Sequence, residues 1–595
     1  MVLASGLSLV MGVASKAAVA HYMLGNVNEA HVIQDLKDAK AVGFDAFALN
    51  TGCVSETWVD KSLGFMFNNA AANGMKVYLN MDLYASGDAC YNGATCCGVG
   101  NDYYDLWNKY KSSDGWYKID GKNVVGTYSA ARWSAVEFTA LKKKWGDFYF
   151  FPDLDGTEGY YEAAEPWWDH WGTVIDGIAS WESSWPKYGN FGGAYPGDVG
   201  IDTPQANAAA AHSKEYMIPI SPLQYKDAYK TNLYRLGDMN LPVRMENILA
   251  MSPRPNYVQF QTWNDGPESH YIGNIWNEQN SDAQPWRYMN PDRYSHKGWQ
   301  PLVESFNRAF KTAGSTAASM TPPGSKLVVG SMWYQSFPRK TECTGPWGQY
   351  SEKPTNLDAG VEGVYFAVVM KAGLPSGYTL KVYSGSTTTP AVYSLKAGLN
   401  YGSAEVLNKG AQFLEILDPS GKRVASGSGG MCVAASCPRG IYSRNYHVVS
   451  VEEGDAGSTC TPWPAESDEK DPDPAHTSTG VAHTTTTTTA PSTQETTKAP
   501  SGDGLNSDCV MFLPQTPPKG FEGLSSCKEF CYKQMGVPVP ATEKHTFTCG
   551  KQVTADYTDL PGYPGVQTAP GDCSCSMDTL VEIVTTAATI VANVS

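Results

Sequence analysis

The run Tyr257-Val-Gln-Phe-Gln-Thr-Trp-Asn-Asp-Gly-Pro-Glu-Ser-His-Tyr-Ile-Gly273 is apolar up to Trp263 and then opens into Asn264, Asp265, Glu268, Ser269 and His270. In barrels of alternating strands and helices the chemistry sits where strands end, so Asp265 and Glu268 are expected in a cleft. Two carboxyl groups in a cleft supply a proton donor and a base, which is what hydrolysis of a glycosidic bond needs. The purely structural alternative is a turn, with Asp265 capping it and Glu268 solvated, because Asn-Asp-Gly is also an ordinary turn signal. Phe151-Pro-Asp-Leu-Asp-Gly156 places a second pair, Asp153 and Asp155, directly behind another apolar run. Its alternative is again a capped turn.

The elements that position these residues follow from hydrophobic period. Short apolar runs at Ala17–Leu24, Phe44–Asn50, Lys76–Asp82, Val124–Ser129, Phe148–Leu154, Asp176–Trp181, Tyr216–Ser221 and Tyr257–Trp263 read as eight strands. Helical patterns fit at Ala30–Ala41, Lys61–Asn73, Ser134–Lys144 and Asn232–Met251, with Pro301–Thr312 after the last strand. Eight such units make an α/β fold of the (β/α)8 TIM-like barrel type over residues 16–320. The strand ends then carry His21, Asn50, Asp82, Tyr128, Asp153 with Asp155, Trp181, Ser221, and Trp263 with Asn264 and Asp265, followed by His270. Polar groups for hydroxyls beside aromatic faces for sugar rings suit a carbohydrate cleft. For His21, a neutral histidine bonded inside the barrel mouth is an equal reading.

Beyond the barrel, residues 321–460 alternate Val, Tyr and Phe between turn signals such as Asp418-Pro-Ser-Gly421, the pattern of an antiparallel β-sandwich. Its Trp333, Tyr334 and Trp347 are expected to pack against the barrel. Residues 461–507 hold Asp-Pro-Asp-Pro and six consecutive Thr at 484–489, a Ser/Thr/Pro-rich linker with too little apolar surface to offset chain entropy. Residues 508–595 carry six cysteines and read as a small disulfide-rich module. Residues 1–15 have the apolar run and small-residue end of a signal peptide but no basic start.

Composition narrows the function. The net charge is -16 and only 17% of residues are charged, against 17 Trp, 34 Tyr and 58 Gly. The negative charge repels phosphate backbones and anionic lipid, so neither nucleic acid nor membrane is an expected partner. The cysteines fall in groups of even count: Cys53, Cys90, Cys96 and Cys97; Cys343, Cys432, Cys437 and Cys460; and the six at the end. With no paired Cys-x-x-Cys and no His-Glu-x-x-His, disulfides in an oxidising, extracellular or cell-wall compartment are expected rather than a metal. No glycine-rich phosphate loop is visible, so no cofactor is expected either.

Three motifs, Ala20-His-Tyr-Met-Leu-Gly-Asn26, Gly43-Phe-Asp-Ala-Phe-Ala-Leu-Asn50 and Thr262-Trp-Asn-Asp-Gly-Pro-Glu-Ser-His-Tyr271, together resemble the fungal α-1,3-glucanases, or mutanases, of glycoside hydrolase family 71. The resemblance spans the barrel. It implies an endo-acting enzyme that cleaves α-1,3-glucan with inversion at the anomeric carbon, and that Asp265 and Glu268 match the catalytic carboxylates; a secreted monomer is expected. One departure is the loop Asn-Asp-Gly-Pro-Glu, where a bulkier residue followed by Gly is expected between the acids. The longer Glu268 is the expected acid, kept protonated by Trp263 or Tyr271, and Asp265 the base, with the reverse assignment as the alternative. For an inverting pair the carboxyl groups are expected roughly 6.5–9.5 Å apart. Gly523-Leu-Ser-Ser-Cys-Lys-Glu-Phe-Cys531 and Gly571-Asp-Cys-Ser-Cys-Ser576 resemble α-1,3-glucan-binding modules; a cap or wall tether is the alternative. The rival functions are a barrel glycosidase for another glucan linkage and a catalytically silent wall-binding protein.

Overall fold

The computed structural model describes residues 16–464 except 87–101, 131–132, 189–191, 230, 281, 344–352, 355–356, 358–359, 387 and 455–456, together with short strands between 544 and 591. The expected signal peptide, the linker beyond residue 464, Trp347, and Cys90, Cys96, Cys97, Cys509, Cys527 and Cys531 lie outside the described residues. The chain divides into two compact units, Met1–His483 and Thr484–Ser595.

In the first unit, strands β1 (Ala17–Met23), β2 (Ala46–Thr51), β3 (Lys76–Asp82), β4 (Lys122–Tyr128), β5 (Tyr149–Pro152), β6 (Gly177–Ala179), β7 (Glu215–Ile220) and β8 (Tyr257–Phe260) pair in parallel. A parallel bridge between Asp153 and Ala179 joins β5 to β6, so the ladder returns to β1 in a barrel-like ring. β1 is buried at nearly every position, as expected for a parallel strand covered on both faces. Helix Glu29–Ala41 starts where the Asn28 side chain accepts from the His31 amide at 2.9 Å. It buries Val32, Leu36 and Ala39, the helical spacing that turns one face to the sheet. Helix Ala135–Trp145 begins with a reciprocal Ser134–Glu137 capping box.

The expected helix at Asn232–Met251 needs correction. Thr231–Arg235 is instead the second strand of a hairpin with Gln224–Ala228, and the helix begins only at Asn240. The break lies at Gly237, whose missing Cβ would sit 2.7 Å from the Pro222 carbonyl, and at Asp238, whose φ is 30°. The expected Lys61–Asn73 helix likewise runs Thr57–Asn69 and closes in a 3-10 turn, and β6 is three residues long.

Eight antiparallel strands from Val328–Gln335 to Tyr446–Glu453 form the rest of the unit. The ladder folds on itself, because Val328, Met332 and Phe366 from one half share an apolar cluster with Leu380, Val382 and Leu414 from the other. Disulfides Cys343–Cys437 and Cys432–Cys460 pair within the middle cysteine group. Trp333 faces the parallel sheet, its Nε1 donating to the Asp238 carbonyl at 2.9 Å and its ring lying 6.1 Å from Trp299. Tyr334 turns the other way, into the apolar cluster between the antiparallel layers. In the second unit Lys544–Cys549, Val553–Thr558, Val566–Ala569, Cys573–Cys575 and Ile590–Val591 make one sheet.

Candidate active site

At the C-terminal ends of the parallel strands the loop after β8 brings three titratable groups together. The Nε2 of His270 lies 3.3 Å from Glu268 Oε2 and 3.7 Å from Asp265 Oδ2. The loop is set from within: Thr262 Oγ1 accepts from the Asp265 amide at 2.8 Å, and Asp265 Oδ1 accepts from the Glu268 amide at 3.0 Å. Between the two, Gly266 lies so close to Met289 that a Cβ would fall 2.2 Å from its sulfur, so the bulkier residue expected there would have to displace that side chain. Ser269 takes a left-handed φ of 62°, an unfavourable conformation for a residue with a Cβ, held here between Glu268 and His270.

The hairpin Gln224–Arg235 completes the surroundings. Gln224 Nε2 donates to Glu268 Oε2 at 2.7 Å and the Lys226 ammonium lies 3.1 Å from Oε1. Arg235, buried under the hairpin, pairs with Glu182 and lies over the Trp185 ring at 5.1 Å. Burial works to raise the Glu268 pKa, but His270, Lys226 and Gln224 outweigh it and hold the carboxyl well below the usual range. Burial raises Asp265, with the Glu268 charge adding to it while His270 and Lys226 oppose. Lys226 is raised despite its burial by Glu268 and Asp265.

A third carboxyl stands at the end of β3. Asp82 accepts from Asn50 Nδ2 at 2.9 Å and from the Ala85 amide at 2.9 Å, and burial raises its pKa, with Asp265 contributing. Asn50 in turn accepts from Asn80 Nδ2 at 3.1 Å, and Gly126 on β4 leaves the space that the Asn80 amide fills. His21, Tyr128, Asp153 and Trp181 line one cavity inside the barrel mouth. Trp181 packs edge-on to His21 at 4.8 Å and to Tyr128 at 4.9 Å. Burial lowers His21 to about 3, so its ring is neutral, and burial together with the Asp155 charge raises Asp153 strongly.

Several expected site residues do other work. Trp263 is fully buried outside the mouth, donating from Nε1 to Asp35 of the first helix at 2.9 Å and packing on Phe47. Tyr271 is likewise buried, stacked on His296 at 3.9 Å, so neither ring forms a wall keeping Glu268 protonated. Asn264 spends both ends of its amide on the Met23 backbone, at 2.8 and 3.0 Å, tying the loop to β1. Asp155 Oδ2 accepts from Tyr161, Ser180 and the Trp181 and Glu182 amides, anchoring the loop that presents Trp181. Reading the sequence missed Gln224, Lys226 and Arg235; the polar alternation of Gln224-Tyr-Lys-Asp-Ala228 was the available signal. The Asp265, Glu268 and His270 ligand atoms lie within 4.8 Å of one another, the one such group among the described residues. A divalent ion would find one of these carboxylates already against the Lys226 ammonium. The nearest Asp265 and Glu268 oxygens therefore lie closer together than the roughly 6.5–9.5 Å expected for an inverting pair, because both reach toward the one imidazole.

A barrel-like parallel sheet whose strand ends carry carboxyls shifted in opposite directions suits a glycoside hydrolase. The chain belongs to glycosyl hydrolase family 71, whose model matches residues 14–460. It is 26% identical over 457 residues to a mutanase of Penicillium rubens, covering 75% of this chain and 91% of that one. It is also 26% identical over 389 residues to a glucan endo-1,3-alpha-glucosidase of Schizosaccharomyces pombe, covering 62% of this chain and 83% of that one. Among solved structures it matches a GH99 endo-alpha-mannosidase from Bacteroides thetaiotaomicron at 12% identity and a TM-score of 0.32, over 43% of this chain and 87% of that one. No helix among the described residues is long and apolar enough to cross a membrane.

Proposed function

We propose that this protein is a secreted, monomeric hydrolase that cleaves α-1,3-glucan internally and inverts the anomeric configuration. The observation that carries the reading is the Asp265–Glu268–His270 cluster at the strand ends of a chain whose family relatives are named for α-1,3-glucan hydrolysis. Residues 508–595 are proposed to hold the enzyme on insoluble glucan.

Inversion needs a proton donor and a base on opposite sides of the bond with a water in between. Asp265 and Glu268 approach too closely to enclose that water, so Asp82 on β3 is recruited as the third carboxyl. Glu268, held ionised by Lys226, Gln224 and His270, takes the base role, reversing the assignment drawn from side-chain length. The donor comes from the carboxyls whose pKa burial raises, Asp82 at the end of β3 or Asp265 beside Glu268. His21 and Trp181 floor the subsite, with Tyr128 and Asp153 beside them.

Release of reducing ends from purified α-1,3-glucan tests the reading, with Glu268→Gln, Asp82→Asn and Asp265→Asn run in parallel. Each variant is expected to lose at least about 100-fold in turnover on polymer. An α-glucosyl fluoride, whose leaving group needs no proton, is expected to restore turnover in the donor variant only, and azide in Glu268→Gln only. Undiminished polymer hydrolysis by Glu268→Gln would remove it from the mechanism.

A further inference from the structure

We infer that Tyr84 and Tyr229 form an aromatic platform on which successive glucose rings of the substrate chain stack, one at either side of the acidic cluster. The inference rests on the proposed glucan hydrolysis and adds to it the residues that hold the chain away from the bond being cut.

Large aromatic side chains are normally withdrawn from water, and here the Trp residues of the mouth are buried. The large apolar side chains left exposed among the described residues include three aromatics, Tyr84, Tyr188 and Tyr229. All three follow the C-terminal end of a parallel strand: Tyr84 after β3, Tyr188 after β6 and Tyr229 after β7. None sits on the antiparallel strands or the outer helices. Exposure confined to the catalytic face is what a ligand surface requires, since scattered exposure would show no such preference.

Two of the three also lie beside the reactive groups. The Lys226 ammonium, in contact with Glu268, is 5.8 Å from the Tyr229 ring, and Tyr84 stands two residues beyond Asp82, whose carboxyl accepts from the Ala85 amide at 2.9 Å. Neither ring is buried, and each stands on a segment whose backbone is held. Asp82 accepts from the amides of the turn that displays Tyr84, which is 64% exposed. Tyr229, 46% exposed, occupies the hairpin tip, where its amide donates to Gln284 Oε1 at 2.8 Å and its phenol donates to Asp282 Oδ2 at 2.8 Å. The Tyr229 ring, fixed by its edge and half exposed, suits the apolar face of a sugar and costs little ordering on binding. Tyr84 belongs to the β3 side and Tyr229 to the β7 side, so a chain touching both crosses the cluster. Contacts on both sides of the cut favour internal cleavage.

The test uses the full chain with Tyr84→Ala and Tyr229→Ala, the ring-preserving Tyr84→Phe and Tyr229→Phe, and Val392→Ala, an exposed control on the antiparallel strands. Loss of one stacking contact is expected to raise KM on α-1,3-glucan oligosaccharides of six or more units by roughly tenfold, with kcat changed much less. The Phe variants are expected to return KM to within about twofold, and the spread of product lengths to narrow in the Ala variants. The control should match the wild type in both readouts. Active wild-type enzyme with both Ala variants unchanged in KM and product lengths would overturn the platform alone. An equal loss in the Phe and Ala variants would also overturn it, by assigning the effect to the phenol. Failure of the wild type to release any product would overturn the platform and the proposed substrate together.

Discussion

Lys226 shows most clearly how one residue sets the chemistry of the site. It pairs with Glu268 at 3.1 Å with both side chains largely out of solvent, and Glu268 is held low chiefly by His270 and this ammonium against its own burial. A carboxyl with a depressed pKa stays ionised until the pH falls through that low value, so a base role persists far into acid. Lys226→Met removes one opposing charge and lets burial raise Glu268. The acidic limb of kcat/KM is therefore expected to move to higher pH, by about one unit for each 1.4 kcal/mol of lost interaction. A pH–rate profile of the variant checks this, and an unmoved acidic limb would contradict a base role for Glu268. At this scale the sequence was informative about Asp265, Glu268 and His270, because a polar burst behind an apolar run is visible without a structure. It was misleading about Trp263 and Asn264, since β8 ends at Phe260 and strand alternation does not govern the loop behind it.

The element that the sequence concealed is the hairpin. Thr231-Asn-Leu-Tyr-Arg235 shares the apolar spacing of the helix behind it, and only pairing with Gln224–Ala228 makes it a strand. Local pattern cannot contain that pairing, because the partner stabilises the conformation. The same gap hid Gln224, Lys226 and Arg235 as site residues. Arg235 donates to the Pro186 carbonyl at 2.9 Å and to Glu182, and is almost fully buried, so it fastens the hairpin to the loop after β6. Arg235→Ala leaves Glu182 without its partner and is expected to cost about 3–5 kcal/mol. Denaturant unfolding measures that cost. Activity should fall with it even where the variant remains folded, because Gln224 and Lys226 ride on the loosened strand. By contrast the eight parallel strands were each legible, as largely buried apolar runs carry their own signal.

Over the whole molecule, the parallel sheet and the antiparallel strands act as one body. Tyr446 donates to Asp238 Oδ1 at 2.6 Å and Arg339 pairs with the same carboxylate at 3.2 Å, across the seam that Trp299 and Trp333 fill. The sequence signalled two folds here and the packing of Trp333 on the barrel, but not the partners that close the shared core, which lie hundreds of positions apart. A chain ended at His483, where the first unit closes, is expected to hydrolyse soluble α-1,3-oligosaccharides at the full-length rate and to lose activity on insoluble glucan. Equal activity of both forms on the insoluble polymer would exclude a binding role for residues 508–595. The most direct test of the central claim is the anomeric configuration of the first product. When purified α-1,3-glucan oligosaccharide is followed by proton NMR from the first minutes, new reducing ends should appear in the β configuration before mutarotation, and none should appear with Glu268→Gln. New ends in the α configuration, or no release from this linkage at all, would contradict the account.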